Sequence, residues 1–294
     1  MKDQSLAHAV SLLPPALRTP FQGNGVAEVL IEEIRLRTGR RVMLSSAGLE
    51  REAAASAPVT PAQLRQVMEN VTRSSLHSAA ESLKHGYVTS SGGCRVGVCG
   101  TAAVSDGEVG SIRELSSLCI RVAREHPGIA KPLLDALFAN GRVLNTLIIS
   151  PPGLGKTTLL RDIVRLVSER GVRVAVADER GELAAVNAGV PRFDVGAHTD
   201  VLTGAPKEYA VMTLLRTMTP RVVALDEISE ACDARAVELA ANCGVAILST
   251  VHGFDKTDVF TRPVLAGIRA RGIFRRAVTI GTDGARRTFR VEDI

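Results

Sequence analysis

The middle of the chain carries a stretch, IISPPGLGKTTLL over residues 148–160, whose residue types could bind a chain of phosphates. In such loops the backbone N–H groups and the N-terminal end of the following helix surround the anion. A lysine reaches the β and γ phosphates of a nucleotide, and a hydroxyl holds Mg²⁺. Lys156, one of only six lysines, and Thr157 occupy these positions. The predicted nucleotide contacts are Ser150, Pro151, Pro152, Gly153, Leu154, Gly155, Lys156, Thr157 and Thr158.

One position departs from the usual G-x-x-x-x-G-K-[ST] pattern, because Ser150 replaces the first glycine. Gly153 and Gly155 are kept, and these are the positions where a side chain would most obstruct the approach of the backbone to phosphate. We therefore predict that Ser150 is tolerated, provided that its backbone does not need a positive φ. An ordinary glycine-rich turn between a strand and a helix is the alternative interpretation.

A second acidic pattern, RVVALDEIS over residues 221–229, supports the phosphate-site interpretation. Four apolar residues precede Asp226 and Glu227, as in a Walker B motif. We predict that Asp226 shares Mg²⁺ with Thr157 and that Glu227 polarises the attacking water. A strand that simply runs into an acidic loop would look the same, but the position downstream of a phosphate loop favours the functional reading.

Two further segments place polar side chains after apolar runs of strand length. VAVADERGE carries Asp178, Glu179 and Glu182, and ILSTVHG carries His252. A solvated acidic turn and a capping or hydrogen-bonded histidine are the alternatives for each segment alone. Together they predict groups that coordinate and sense the γ-phosphate.

These residues need elements that bring strand ends together. From residue 143 onward, short apolar runs alternate with helical patterns, which predicts a parallel sheet covered on both faces, with its sites at the carboxyl ends of the strands. The first part predicts a smaller α+β domain, with strands within 28–44, a helix over 61–72 and a meander over 86–123. Proline and glycine punctuate residues 124–132. We therefore predict an α+β domain over 1–125 and an α/β domain over 126–294.

Composition excludes several classes of protein. The 294 residues are 45% hydrophobic and 23% charged, which is typical of a folded globular protein. Aromatic residues make up 3% and tryptophan is absent, which argues against base stacking as the main activity. Five cysteines without a C-x-x-C pair predict a reducing compartment and neither a zinc site nor a disulfide framework. No apolar run approaches the roughly 20 residues that span a bilayer, so we expect a cytoplasmic protein without membrane insertion.

The order of the four motifs resembles that of the ATPases that drive type II and type IV secretion and pilus assembly. DERGE is similar to their acidic box, and STVHG is similar to their histidine box. The similarity is closer to the stage III sporulation protein AA family, whose phosphate loop also begins with serine. Segments over most of the chain carry it: EEIRLRTGR, GYVT, RVG, SIRELSSLCIRVARE, RVLNTLIISPPGLGKTTLLRD, DERGE and LDEI.

This resemblance implies a RecA-like domain that binds ATP and Mg²⁺. It also implies a ring, expected to be a homohexamer, docked on membrane proteins of a secretion-like sporulation channel between mother cell and forespore. The expected location is the cytoplasm of the mother cell, peripheral to the engulfing membrane.

The resemblance also points to arginines in the first domain. Arg95, Arg113 and Arg121 match arginines that in the relatives approach the nucleotide at a domain or subunit border, although each could equally lie on a solvated face. The secretion enzymes usually carry Gly-Glu at Walker B and an arginine shortly after it, where this chain has Asp226–Glu227 and Ser229. We expect a solvent or subunit face from the C-terminal arginines Arg269, Arg271, Arg275, Arg276, Arg286, Arg287 and Arg290.

Two other functions remain open from the residues alone. A nucleic-acid-linked ATPase would need a binding module, for which the chain after the α/β domain leaves little room, so nucleic acid is an unlikely partner. A nucleotide-binding scaffold that does not hydrolyse is disfavoured by Lys156, Thr157, Asp226 and Glu227 together.

Overall fold

The computed structural model describes residues 4–21, 31–46, 49–54, 56–72, 83, 86–90, 92–105, 108–122, 124–284 and 286–294. The chain divides into two compact units. The first comprises Met1–Arg124 with Asn187–Val190, and the second comprises Glu125–Val186 with Pro191–Ile294. The division into an α+β domain over residues 1–125 and an α/β domain over 126–294 stays a prediction.

The first unit contains a six-stranded antiparallel sheet in the order β3-β2-β1-β6-β5-β4. The predicted helix begins where Thr60 and Gln63 form a reciprocal capping box, and Leu64, Val67 and Val71 face the core at helical spacing. The start of the strand material predicted from residue 28 and the turn at 106–107 lie outside the described residues. The elements are α1 (Gln4–Ser11), α2 (Pro15–Arg18), a 3₁₀ helix (Thr19–Phe21), β1 (Glu33–Arg37), β2 (Met43–Ser46), β3 (Leu49–Glu52), α3 (Pro61–Thr72), β4 (Tyr87–Thr89), β5 (Arg95–Ser105) and β6 (Glu108–Arg121).

The second unit is built on a seven-stranded sheet in the order β11-β10-β12-β13-β9-β14-β15. All pairs are parallel except the C-terminal hairpin β14–β15, which the sequence did not predict. The elements are a 3₁₀ helix (Lys131–Leu137), β7 (Phe138–Ala139), β8 (Arg142–Val143), β9 (Thr146–Ser150), α4 (Lys156–Glu169), β10 (Val174–Asp178), β11 (Thr199–Thr203), α5 (Lys207–Thr217), β12 (Val222–Glu227), α6 (Ala231–Asn242), β13 (Ala246–His252), α7 (Lys256–Val259), α8 (Pro263–Ala270), β14 (Arg276–Asp283) and β15 (Arg286–Asp293).

Helices cover both faces of this sheet, so its central strands are buried along their length. Along β9, Ile148 packs with Leu159 and Ile163 of α4, whereas its neighbours Leu147 and Ile149 pack into the cluster on the opposite face. This alternation follows from the two-residue period of a strand. The fold class predicted from the sequence, a RecA-like α/β domain after a smaller α+β domain, is confirmed.

The parallel register gathers the predicted motif residues at one edge. The ends of β9 and β13 lie side by side, with Ser150 opposite His252. Glu227 of β12 lies opposite Thr250 of β13, and β10 runs parallel to β12 on its other side. The described part of the chain has no helix that is long and apolar enough to cross a membrane.

Candidate nucleotide-binding site

The glycine loop joins β9 to α4 as the sequence predicted. Gly153 and Gly155 have φ values of 81° and 91°, which a side chain would strain. Ser150 is buried at the end of β9, is not among the described residues with positive φ, and donates its hydroxyl to the Pro151 carbonyl at 2.7 Å. No side chain caps the start of α4, so its first N–H groups point toward the loop without a partner from the helix itself. The loop can therefore surround an anion, and serine fits its first position.

Three predicted side chains meet in one cluster, which we call the Lys156 triangle. Lys156 Nζ lies 3.1 Å from Glu227 Oε2, and His252 Nε2 lies 3.1 Å from the same oxygen. Lys156 Nζ and His252 Nε2 are 3.2 Å apart. The side chains are 12%, 21% and 34% exposed for Lys156, Glu227 and His252, so a ligand can reach them.

His252 enters the triangle through one ring nitrogen only. Its Nδ1 is buried and makes no hydrogen bond within the described structure. The His252 carbonyl accepts a bond of 2.6 Å from Arg262, whose side chain also contacts Asp258. A cavity of about 250 Å³ next to the triangle is lined by Glu227, His252, Arg262 and Ser229 among others.

A second cluster lies beside the first, and we call it the Lys207 cluster. Lys207 Nζ contacts Asp233 Oδ1 at 3.0 Å, Asp226 Oδ1 at 3.2 Å and Glu179 Oε2 at 3.3 Å. Lys207, Asp226 and Asp233 are nearly inaccessible. Lys207 was not predicted from the sequence, because a lysine at the start of a helix carries no signal beyond the scarcity of lysine.

Charge and burial oppose one another in this cluster. Burial raises the pKa of Asp226 to about 6, although Lys207 and the Glu227 N–H favour its charged form. Burial also works against the charge of Lys207, but Asp226, Asp233 and Glu179 outweigh it and raise the lysine pKa. For Asp233, burial is outweighed by the N–H groups of residues 229 and 230 and by Lys207, so its pKa is lowered.

The acidic residues of DERGE separate in space. Asp178 is fully buried, and its carboxylate accepts N–H bonds of 2.8, 3.0 and 2.9 Å from Glu182, Leu183 and Ala184. Burial raises its pKa, although these three bonds act in the opposite direction. Arg161 donates to the carbonyls of Glu182 and Leu183. This placement favours a role for Asp178 in shaping the loop, whereas Glu179 belongs to the Lys207 cluster.

The three arginines of the first unit lie at two different places on its sheet. Arg95 and Arg121 are direct cross-strand neighbours, Arg95 stacks on Tyr87, and Arg121 pairs with Glu33 at 3.3 Å. Arg113 is eight residues from Arg121 along β6, which corresponds to roughly 26 Å of extended strand. Their nucleotide-facing role stays a prediction.

The C-terminal hairpin brings an arginine to the phosphate loop. A Cβ atom at Gly155 would lie 3.3 Å from Arg287 Nη1 and 3.4 Å from its Cζ. Arg287 is exposed and has no acidic partner among the described residues. Its exposure agrees with the solvent or subunit face predicted for the C-terminal arginines, whereas its proximity to Gly155 follows from the β14–β15 pairing and was not predicted.

The donors at the predicted metal position fit Mg²⁺. Thr157 lies in the first turn of α4, and Asp226 lies near the end of β12, so a hydroxyl and a carboxylate are available at this edge. No group of three or more His, Cys, Asp or Glu side chains in the described ranges could hold a metal by itself. Mg²⁺ usually keeps several waters and takes further ligands from substrate phosphates, so two protein oxygens are sufficient.

Comparison with solved structures identifies the fold. The ATPase DotB of Legionella pneumophila matches with a TM-score of 0.58 and 17% identity over 99% of this chain and 79% of that one. The pilus retraction motor PilT, solved with bound ADP, matches with a TM-score of 0.60 and 15% identity over 95% and 82%. At such identities the likeness shows the fold, that of the RecA-like secretion ATPases.

The family follows from sequence. The family model described as "Sporulation stage III, protein AA" matches residues 7–292. Stage III sporulation protein AA of Bacillus subtilis (strain 168) is 38% identical over 251 residues, which cover 84% of this chain and 81% of that protein. The chain therefore belongs to the stage III sporulation protein AA family, as its motifs indicated.

Proposed function

We propose that this chain is a Mg²⁺-dependent ATPase. The observation that carries the proposal is the Lys156 triangle, in which the phosphate-loop lysine, the Walker B glutamate and the histidine-box histidine converge within 3.2 Å. A lysine held by a single, partly exposed carboxylate can exchange that partner for a phosphate group. The RecA-like fold, shared with the solved ATPase structures, and the glycine loop also support ATPase activity.

The chain's own residues divide the work as follows. Backbone N–H groups of the glycine loop and of the start of α4 hold the phosphates. Lys156 leaves Glu227 for the β and γ phosphates, which frees the Glu227 carboxylate to orient water and accept its proton. His252 Nε2, at the same position, can contact the γ-phosphate.

Mg²⁺ would be held by Thr157 and, directly or through water, by Asp226, and when bound it neutralises charge on the transferring phosphoryl group. Asp178 and Arg161 would act indirectly by fixing the loop that carries Glu179 and Glu182. Arg287 would add positive charge beside Gly155.

We further propose that ATP turnover serves as a motor for a secretion-like channel during sporulation. Family membership supports the sporulation context, and the secretion-ATPase fold supports the motor. In this proposal the protein acts in the mother-cell cytoplasm as a homohexameric ring on membrane proteins of the channel. Turnover per subunit should then rise with protein concentration as rings form, whereas flat turnover across a dilution series would contradict a ring requirement.

The decisive experiment is release of inorganic phosphate from ATP by the purified full-length chain. We expect Mg²⁺-dependent release that EDTA abolishes and that the Lys156→Ala variant lacks. Lys256→Ala, a change at a lysine 40% exposed in α7, serves as the matched control and should keep the activity. Equal phosphate release by wild type and Lys156→Ala would reject this site as the source of hydrolysis. A pull-down from sporulating cells tests the membrane partner separately.

A further inference from the structure

The Lys207 cluster fixes the chain on both sides of Glu227. It holds Asp226, which directly precedes Glu227, and Ser229, which follows two residues later. Glu227 itself has no contact with Lys207 in the described structure. Lys207 thus fixes the chain before and after the proposed catalytic carboxylate without contacting that carboxylate.

The upstream connection runs through Asp226. Lys207 Nζ contacts Asp226 Oδ1 at 3.2 Å, and the same oxygen accepts the Glu227 N–H at 2.7 Å. The β12–β13 register shifts between Leu225 and Glu227, so Asp226 sits in a bulge. Bulges redirect the side chain that follows, and the Asp226 carbonyl is pinned by hydroxyls of Ser249 and Thr250.

The downstream connection runs through Asp233. One of its oxygens contacts Lys207 at 3.0 Å, and the other accepts the N–H groups of Ser229 at 2.8 Å and Glu230 at 2.9 Å. Asp233 thereby closes the loop between β12 and α6. Since Lys207 joins Asp226 to Asp233, the backbone on both sides of Glu227 depends on one ammonium group.

Removal of this ammonium would leave three carboxylates close together, two of them buried. Like charges in a poorly solvated place repel, so the end of β12 and the loop that carries Asp233 would separate. This separation moves the Glu227 backbone. The glycine loop does not depend on Lys207, because none of the described Lys207 contacts involves residues 150–158.

We infer that Lys207 is a positioning residue for ATP hydrolysis, which directs the Glu227 carboxylate by holding Asp226 and Asp233 together, while leaving nucleotide binding to the glycine loop. This inference rests on the proposed ATPase function and adds a residue that no motif of the sequence points to. It predicts a loss of turnover without a loss of affinity.

The test compares Lys207→Met with Lys256→Met, the same substitution at an exposed lysine of the second unit. We expect Lys207→Met to lower kcat by about tenfold to a hundredfold, the scale of a misplaced catalytic group. The dissociation constant for a fluorescent ATP analogue, measured in EDTA so that neither turnover nor a metal at Asp226 contributes, should stay within about threefold of wild type. Lys207→Arg, which keeps the charge, should regain part of the lost kcat. Lys256→Met should match wild type in both measurements.

A purely structural lysine would give a different pattern. It would lower the melting temperature, but kcat per folded molecule would stay at the wild-type value, and that result overturns the inference. An impaired Met variant that Arg does not improve also overturns it. If Lys207→Met does not fold, the double variant Lys207→Met/Asp233→Asn takes its place. The double variant removes a negative charge together with the positive one. A wild-type kcat in the double variant likewise overturns the inference. Absence of hydrolysis in the wild type would instead reject the proposed function.

Discussion

The Lys156 triangle and the Lys207 cluster lie at the same sheet edge, and they place two consecutive acidic residues in different environments, one partly exposed and one buried. Lys156 meets Glu227 where both are partly exposed, and no other carboxylate contacts this lysine within the described structure. Lys207 meets Asp226 where both are nearly inaccessible to water, together with buried Asp233 and partly exposed Glu179. The first lysine lies where a ligand can compete for it, and the second is shielded from solvent.

The physical difference is solvation. A partly exposed ion pair contributes little net stability, because water and ligand compete for both charges. A buried pair strongly resists the loss of one partner, because the remaining charge would be left without compensation. We infer that the adjacent acidic residues of this motif differ in role: Glu227 shares a contact with Lys156 that a ligand can replace, whereas Asp226 stays paired with Lys207 through Oδ1 and would offer its other oxygen to Mg²⁺. Four predictions test this contrast.

Lys156→Ala should have the largest effect. The substitution removes the cation of the Lys156 triangle. ATP affinity should therefore fall by about a hundredfold, as expected for the loss of a bond between charged groups, and phosphate release should disappear. The fold should persist, since no core side chain is removed. Isothermal titration with ATP and a thermal melt check both statements; unchanged affinity would mean that the loop is not the binding site.

Glu227→Gln should separate binding from hydrolysis. Loss of the general base should slow turnover by about a hundredfold to ten-thousandfold. ATP affinity should equal or exceed that of wild type, because Lys156 no longer has a carboxylate that competes with phosphate. Single-turnover hydrolysis and nucleotide titration measure the two quantities. Wild-type turnover would place the base elsewhere, with Glu179 or Glu182 as the next candidates.

Asp226→Asn should change how the free energy of unfolding depends on pH, because it removes a buried, titrating carboxylate from the Lys207 cluster. The folded-state pKa of about 6 lies above the ordinary value of 3.8, so the folded protein holds this proton more tightly than the unfolded chain does. Wild-type stability from this group is therefore lost as pH rises from about 4 to about 6, by roughly 3 kcal/mol for the full shift. Asparagine avoids that loss.

The measurement is the difference in unfolding free energy between Asp226→Asn and wild type at pH 4.5 and pH 7.5. Relative to wild type, the variant should have a higher unfolding free energy at pH 7.5 than at pH 4.5. Asp135→Asn, at a carboxylate that is 92% exposed, should show no such trend. A difference that is independent of pH would show that Asp226 titrates normally.

Arg287→Ala should have the smallest effect. Its guanidinium lies against the glycine loop but remains in solvent, so we expect ATP affinity to fall by about threefold to tenfold. Arg290→Ala, three residues along the same strand and 70% exposed, is the matched control and should bind as wild type. Indistinguishable affinities for the two variants would assign Arg287 to the solvent face.

The fold class and the members of the Lys156 triangle were predictable from the sequence alone. Glycines, a lysine and acidic residues at the ends of apolar runs predicted a parallel sheet with Lys156, Glu227 and His252 at one edge. This works because strand ends and helix starts are local features, and a parallel sheet necessarily aligns its carboxyl ends. The condition set for Ser150, a backbone without positive φ, is met for the same reason, since its backbone is set by the strand to which it belongs, and its tolerance in a working site stays a prediction.

The Lys207 cluster and the neighbours of the glycine loop became visible only in the folded chain. Lys207 reaches Asp226 and Asp233 across 19 and 26 residues of sequence, and Arg287 reaches Gly155 across 132. Such meetings depend on how helices and strands pack, although the Asp283–Gly284 dipeptide between two strand-like runs is a local signal for the β14–β15 hairpin itself. Asp178 illustrates the limit most clearly: its place at a strand end was predictable, but whether its carboxylate turns outward to a ligand or inward to three backbone N–H groups depends on how the following loop folds back.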